Sequence, residues 1–258
     1  MTQYQRSGFL SSIPPVTRHL LIINVLIWLV IEVCSFSGAR MEHFADFLVT
    51  HLGLNYVGSS GFNPVQPLTY MFVHDPFNIM HILFNMFALW MFGRLMEQVW
   101  GQKRFLVYYM VCGIGAAVVQ EAVWALCWQH DFVTQLAAAN NVAPEYVEQA
   151  IAAKVPNVMQ FMADYKSQLI TIGASGAIFG ILLGFAFVFP NMPLYFFFIP
   201  VPIKAKWMVL GYAVLEFFLG VGGMQSSVAH FAHLGGMLFA LPMLLYWKQK
   251  GTLQRRFF

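Results

Sequence analysis

The stretch 169-LITIGASGAIFGILLGFAFVF-189 carries no charge from end to end. A spanning helix needs roughly 20 mostly apolar residues, because the hydrocarbon core is ~30 Å thick and a helix rises ~1.5 Å per residue. Leu169–Phe189 meets that length. Its backbone polar groups would find no water in lipid, so it reads as helix rather than strand. Near its start, Ser175 stands between Ala174 and Gly176. A hydroxyl in hydrocarbon bonds back to its own helix easily, so a lone serine there is ordinarily filler. Whether Ser175 is more than that depends on what shares its depth.

The rest of the chain supports the same solvent. Of 258 residues, 59% are hydrophobic and 10% charged, against about 25% charged in soluble domains. Mean hydropathy is +0.64. The composition is that of an integral membrane protein. Five further stretches qualify or nearly qualify as spans: Leu20–Phe36, Pro76–Gly93, Phe105–Trp128, Trp207–Gly223 and Val228–Trp247. The predicted fold is an all-α membrane protein with six transmembrane helices. Pro193–Ile203 is apolar but short and broken by Pro193, Pro200 and Pro202, so it reads as an interfacial loop. Net charge is +3 with no basic block, which argues against nucleic acid as a partner. Cys34, Cys112 and Cys127 make no metal pattern and read as free core cysteines. The first residues, MTQYQRSGFLSSIPP, lack a signal peptide's apolar region and cleavage site.

Lysine and arginine set the direction. With the N-terminus in the cytoplasm, Arg6, Arg18, Arg94, Lys103, Arg104, Lys204, Lys206, Lys248, Lys250, Arg255 and Arg256 fall inside. Only Arg40, Lys154 and Lys166 fall outside. Both termini are therefore expected in the cytoplasm. The chain divides into a cytoplasmic segment 1–19, a six-helix membrane domain 20–247 and a tail 248–258. Two outer loops are long. Ser37–Asp75 clusters Gly, Ser, Asn and Pro around Gly58–Pro67. Gln129–Gln168 reads as two short surface helices, with Pro144 and Pro156 in their first turns and Val158, Met162, Tyr165 and Leu169 at helical spacing.

With that topology, helices two, four and six all enter from the outer face. His81 lies about five residues into helix two and Ser175 about six into helix four. His230 and His233 lie about two and five into helix six. At ~1.5 Å per residue they share one layer within roughly 10 Å of the surface. Asn85 lies one turn below His81. Polar groups inside a membrane are functional suspects, and three spans placing Ser, His and Asn at one level is a stronger signal than any of them alone. Helix four has Gly176, Gly180 and Gly184 at intervals of four, and helix six has Ala232, Gly236 and Ala240. Such small-residue stripes allow close approach. If the stripes face each other, Ser175 and His233 come within hydrogen-bonding range. The chemistry would be nucleophilic, with His233 taking the proton of Ser175. No Asp or Glu lies at that depth in the two neighbouring spans, so a dyad is expected rather than a triad. His81, Asn85 and the Ser175 backbone N–H would serve the oxyanion.

These residues resemble the rhomboid family of intramembrane serine proteases. Gly173-Ala174-Ser175-Gly176 matches its GxSG motif, and His81-Ile82-Leu83-Phe84-Asn85 its HxxxN. Ala232-His233-Leu234-Gly235-Gly236 with Ala240 is similar to AHxxGxxxG, the last Gly being Ala here. Gly93, Glu97, Gly101 and Phe105 resemble the loop after helix two. The resemblance implies a six-helix rhomboid-like bundle that cleaves single-pass transmembrane substrates in or near their span. It implies a Ser175–His233 dyad, His81 and Asn85 as oxyanion donors, and no cofactor or metal. Gly173, Gly176, Phe179 and Gly236 would support the site, and helix five with the loop after it would form a gate and cap. Phe179 replaces a frequent Tyr, keeping the ring and losing a hydroxyl. The expected location is a multi-pass position in the lipid bilayer of a bacterial cytoplasmic membrane. The oligomeric state is not legible.

Three other readings compete. A rhomboid-like binder or chaperone without strong catalysis would usually lack Ser or His, and both are present. A metalloprotease could use His230, His233 and His81, but no HExxH helix or adjacent carboxylate base accompanies them. A transporter could use Glu121 and Glu216 as proton carriers, but no broken-helix signature accompanies them. Structural hydrogen bonding or a role at the gate is the preferred reading of both acids. His230 is the second candidate base.

Overall fold

The computed structural model describes residues 12–196, 199–222 and 229–253. Arg6, Arg255, Arg256 and most of the loop after helix five lie outside the described residues. The elements run α1 (Pro15–Ser35), α2 (Ala39–Leu52), β1 (Leu54–Asn55), α3 (Gln66–Thr69), α4 (Ile79–Ala88), α5 (Arg94–Trp100) and α6 (Gln102–Asn140). They continue with α7 (Pro144–Ala152), α8 (Pro156–Ser167), β2 (Ile170–Thr171), α9 (Ser175–Val188), β3 (Pro193–Phe196), β4 (Ile199–Lys204), α10 (Ala205–Val221) and α11 (His230–Gln249). A π turn, Leu89–Gly93, joins α4 to α5 without a break. Pro15, Pro144 and Pro156 each open a helix, where the missing N–H costs nothing.

The protein is an all-α membrane protein apart from two small ribbons. Among the described residues, three helices are long and apolar enough to cross a membrane by themselves: Pro15–Ser35, Ile79–Trp100 and Gln102–Asn140. α9 is shorter, apolar all round and packed between α6 and α11. Large apolar side chains such as Val33, Leu126 and Phe218 face outward, as lipid contact requires.

Several boundaries differ from the sequence expectation. α6 does not stop at Trp128 but continues to Asn140, where Asn141 takes a left-handed conformation that ends it. At ~1.5 Å per residue it overruns the hydrocarbon core. The overrun is held by its own small core: Phe132, Val133 and Ala137 pack against Val147, with Val158, Met162 and Tyr165 partly buried beside them. The 37–75 loop contains a helix, α2, which lies against α1. The apolar run expected as a loop instead supplies two strands, β3 and β4, which pair antiparallel with Leu194 opposite Ile203 and Pro193 opposite Lys204. A two-stranded ribbon leaves half its N–H groups unpaired, so prolines are tolerated there. Cys34, Cys112 and Cys127 are free, but Cys127 is exposed rather than in the core.

Two carboxylates of the bundle, buried Glu97 and half-buried Glu121, have structural partners. Glu97 of α5 accepts from the backbone N–H of Val16 (3.0 Å) and Thr17 (2.7 Å) and from the Thr17 hydroxyl (2.7 Å). It thereby caps the open N-terminus of α1. Glu121 of α6 accepts from Val57 N–H at 2.9 Å and holds the loop after β1.

Candidate active site

The backbone leading to Ser175 is tightly specified. β2 pairs antiparallel with β1, Leu54 opposite Thr171 and Asn55 opposite Ile170. Gly173 then donates its N–H to the Tyr70 carbonyl at 2.9 Å and adopts φ +122°, a conformation that favours glycine. Ser175 is consequently the first residue of α9, not about six residues in. The strand in front of it explains the offset. The N–H groups of Ser175 and the following two residues have no intrahelical acceptor and carry the positive end of the helix dipole.

The other polar residues also sit in first turns. His81 is the third residue of α4; His230 and His233 are the first and fourth of α11. The shared layer therefore persists although the helix starts moved. The small-residue stripes do face each other. A Cβ on Gly236 would stand 1.8 Å from the Gly176 carbonyl oxygen, and one on Gly180 would stand 3.2 Å from the Gly236 oxygen. This contact, with Gly236 against Gly176, brings His233 Nε2 to 2.8 Å from Ser175 Oγ. The Phe179 ring lies flat on His233, centroids 4.3 Å apart and planes within 4°.

His81 overhangs the serine from the other side. A Cβ on Gly173 would lie 2.7 Å from His81 Nε2 and 3.7 Å from Ser175 Oγ, so Gly173 leaves room for both. His81 Nδ1 accepts from the Asp75 N–H at 3.4 Å. In the neutral ring the proton then sits on Nε2, which faces the serine. Asn85 donates to the His81 carbonyl at 2.7 Å, leaving one of its two amide protons uncommitted to that bond.

Two residues were missed or misplaced by sequence reasoning. Glu216 of α10 reaches the histidines: its Oε2 lies 2.6 Å from His230 Nδ1 and 3.0 Å from His233 Nδ1. The first is a hydrogen bond. The second is of ion-pair length, but its N–H points off the line, so His233 Nδ1 has no aligned partner. An acid does therefore adjoin the pair, supplied by a helix that the comparison of neighbouring spans left out. Matching depths would have drawn notice to it, since Glu216 lies in the last two turns of α10 and His230 begins α11. His74 is fully buried behind His81, with ring centroids 5.0 Å apart. Burial, with His81 adjacent, lowers its pKa to about 3, so it stays neutral. Nothing in its sequence context marked it.

Glu216, His230 and His233 also bring three ligand-type atoms within 4.8 Å of one another. Tetrahedral ligands at ~2.0–2.1 Å from one zinc ion stand about 3.3 Å apart. The 2.6 Å hydrogen bond and the 3.0 Å ion-pair contact here are both shorter than that spacing. His81 is not part of that cluster.

A helical membrane bundle with a serine and a histidine joined in its polar layer defines a narrow class. The rhomboid domain model matches residues 63–127 and 145–249, and the chain belongs to the rhomboid family. Residues 128–144, which the match passes over, are chiefly the overrun of α6. The chain is similar to Rhomboid protein 1, mitochondrial, of Saccharomyces cerevisiae, with 30% identity over 227 aligned positions. That alignment covers 75% of this chain and 61% of the yeast protein.

Proposed function

We propose that this chain is an intramembrane serine endopeptidase acting on single-pass transmembrane proteins. The observation that carries the reading is the 2.8 Å contact between Ser175 Oγ and His233 Nε2, under a stacked Phe179. Ser175 attacks the scissile carbonyl while His233 Nε2 takes the hydroxyl proton and then returns it to the leaving amine. His81 Nε2–H, the free amide proton of Asn85 and the first-turn N–H groups of α9 stabilise the oxyanion. Water then releases the acyl group by the reverse proton path. Gly173, Gly176 and Gly236 act by allowing the close approaches described above.

The reading places six helices across the bilayer with both termini cytoplasmic, on the strength of the Lys/Arg asymmetry. That bias supports a bacterial cytoplasmic membrane, and the yeast relative's name supports a mitochondrial one; fractionation of the native source separates the two. Purified protein incubated with a single-span test protein should cleave it, and Ser175→Ala should not. A fluorophosphonate should label Ser175 alone. Labelling unchanged in Ser175→Ala overturns the assignment, and activity abolished by chelators favours the metal reading.

A further inference from the structure

Phe179 fixes the plane of the His233 ring but not which edge faces Ser175. A half-turn about Cβ–Cγ keeps the stack and replaces Nε2 and Nδ1 with carbon. Something at the opposite edge must select the working orientation. To accept from Ser175, Nε2 must be bare, so the neutral ring carries its proton on Nδ1. That nitrogen is buried and has no aligned acceptor, and the Glu216 carboxylate stands 3.0 Å away.

We propose that Glu216 is a positioning residue, whose carboxylate, held by His230, fixes the tautomer and edge of His233 that face Ser175. The proposal rests on the proteolytic reading for its kinetic consequences, though not for its geometry. His230 donates to the same oxygen at 2.6 Å and so holds the carboxylate in place. When Nε2 takes the serine proton, the Nδ1 proton stays where it is, and the new imidazolium charge lies beside an anion. The buried setting makes that attraction stronger than it would be in water.

The fold supports the same assignment. α10 buries only Ala205, Val209 and Glu216. Beyond Val209, Glu216 is the sole buried residue of that helix, flanked by exposed Leu215, Phe217 and Phe218. A buried acid in an otherwise lipid-facing half-helix is unfavourable unless it has a polar partner. Other titratable groups facing the cluster are His81 from α4, beside Ser175, and Tyr212 from α10, whose ring meets Phe179 at 6.4 Å. α6 meets this turn of α11 through Ala116 and Val119.

The test compares wild type, Glu216→Gln and Glu216→Asp in two assays on the full chain in detergent. The first is cleavage of a single-span test protein across pH. Glu216→Gln should lose on the order of 10²-fold in kcat with little change in KM, less than the ~10⁴-fold loss where an in-line carboxylate is neutralised. Its acidic limb should move to lower pH by ~1 unit or more, because the imidazolium has lost its anion. Glu216→Asp should restore the limb. The second assay follows the imidazole nitrogens of His233 by NMR in Ser175→Ala, with and without Glu216→Gln. It expects loss of the Nδ1–H tautomer in the Gln variant and needs no activity. Equal tautomer populations and an unmoved limb overturn the proposal, as do equal losses in Gln and Asp with an unchanged limb. If wild type neither cleaves nor labels, the proteolytic reading fails, while the NMR comparison still decides the role of Glu216.

Discussion

α9 and α10 are both uncharged or nearly so across most of their length, yet the bundle holds them in opposite ways. α9 buries nine of its 14 residues, α10 three of its 17. The glycines of α9 are closely packed on both sides: Gly176 lies against the Gly236 turn of α11 and Ala116 of α6, Gly180 against the Cys112 side chain of α6, and Gly184 against the Trp100 and Tyr108 rings. Gly211 of α10 has nothing within 4 Å of where a Cβ would be. Close packing of α9, with the β2 pairing and the Gly173 N–H bond in front of it, therefore positions Ser175 with little slack. α10 meets its neighbours more sparsely, with Gly220 against Phe231, Tyr212 beside Phe179 and the Glu216 carboxylate on the histidines. A site built from both helices combines a tightly packed side with a loosely packed one that adds a polar contact.

The largest expected effect breaks the comparison at its rigid side. Gly236→Ala would drive a methyl into the Gly176 carbonyl, where no flexible side chain can yield. It should abolish cleavage and lower the melting temperature in detergent, by an overpacking penalty at the upper end of ~1–3 kcal/mol. Gly211→Ala on α10 should leave both unchanged or slightly raise stability. Equal effects of the two would mean that α9 and α10 are held alike.

Ser175→Ala and His233→Ala come next. Each should remove cleavage while leaving thermal unfolding close to wild type, since neither side chain supports the glycine contact. A melting shift as large as that of Gly236→Ala would place these residues in packing instead of chemistry.

His81→Ala should lower kcat by ~10²–10³-fold, corresponding to ~2.7–4 kcal/mol for one oxyanion donor. Asn85→Ala should cost less, because one of its protons is already given to the His81 carbonyl. Single-turnover rates on the two variants check the order, and a near-normal double variant removes the oxyanion role.

The smallest effect should come from the α10 side. His230→Ala removes the group that holds Glu216 but not the base, so cleavage should persist within about tenfold of wild type, as for an indirectly acting group. A dead His230→Ala with an active His233→Ala would shift the α9–α11 pairing by one turn.

Much of this was legible before any coordinates. Ser175, His81, Asn85 and His233 could be placed in one layer because membrane thickness and the 1.5 Å rise turn sequence position into depth. The spacing of Gly176 and Gly236 marked them as able to approach closely, while that they face each other is seen only in the packing. Errors entered where local pattern was silent. The overrun of α6 carries polar residues such as Gln129, His130 and Asp131, which read as a loop, and its packing against α7 and α8 supports the helix. The β3–β4 ribbon hid behind its prolines, although Ile199, Val201 and Ile203 alternate as strand residues do.

By itself, the sequence determined the solvent, the depth of the polar layer and the residues able to approach closely, because hydropathy and small-residue spacing are one-dimensional properties. Tertiary structure alone decided which helix supplies the acid. Depth says how far a residue lies along its helix, but not which way it points or which neighbour it meets. Glu216 lies at the level of His230 and His233 by its position in the chain. That its carboxylate reaches both Nδ1 atoms depends on the rotation of α10 against α11, which packing of the whole bundle fixes and no local run of residues encodes.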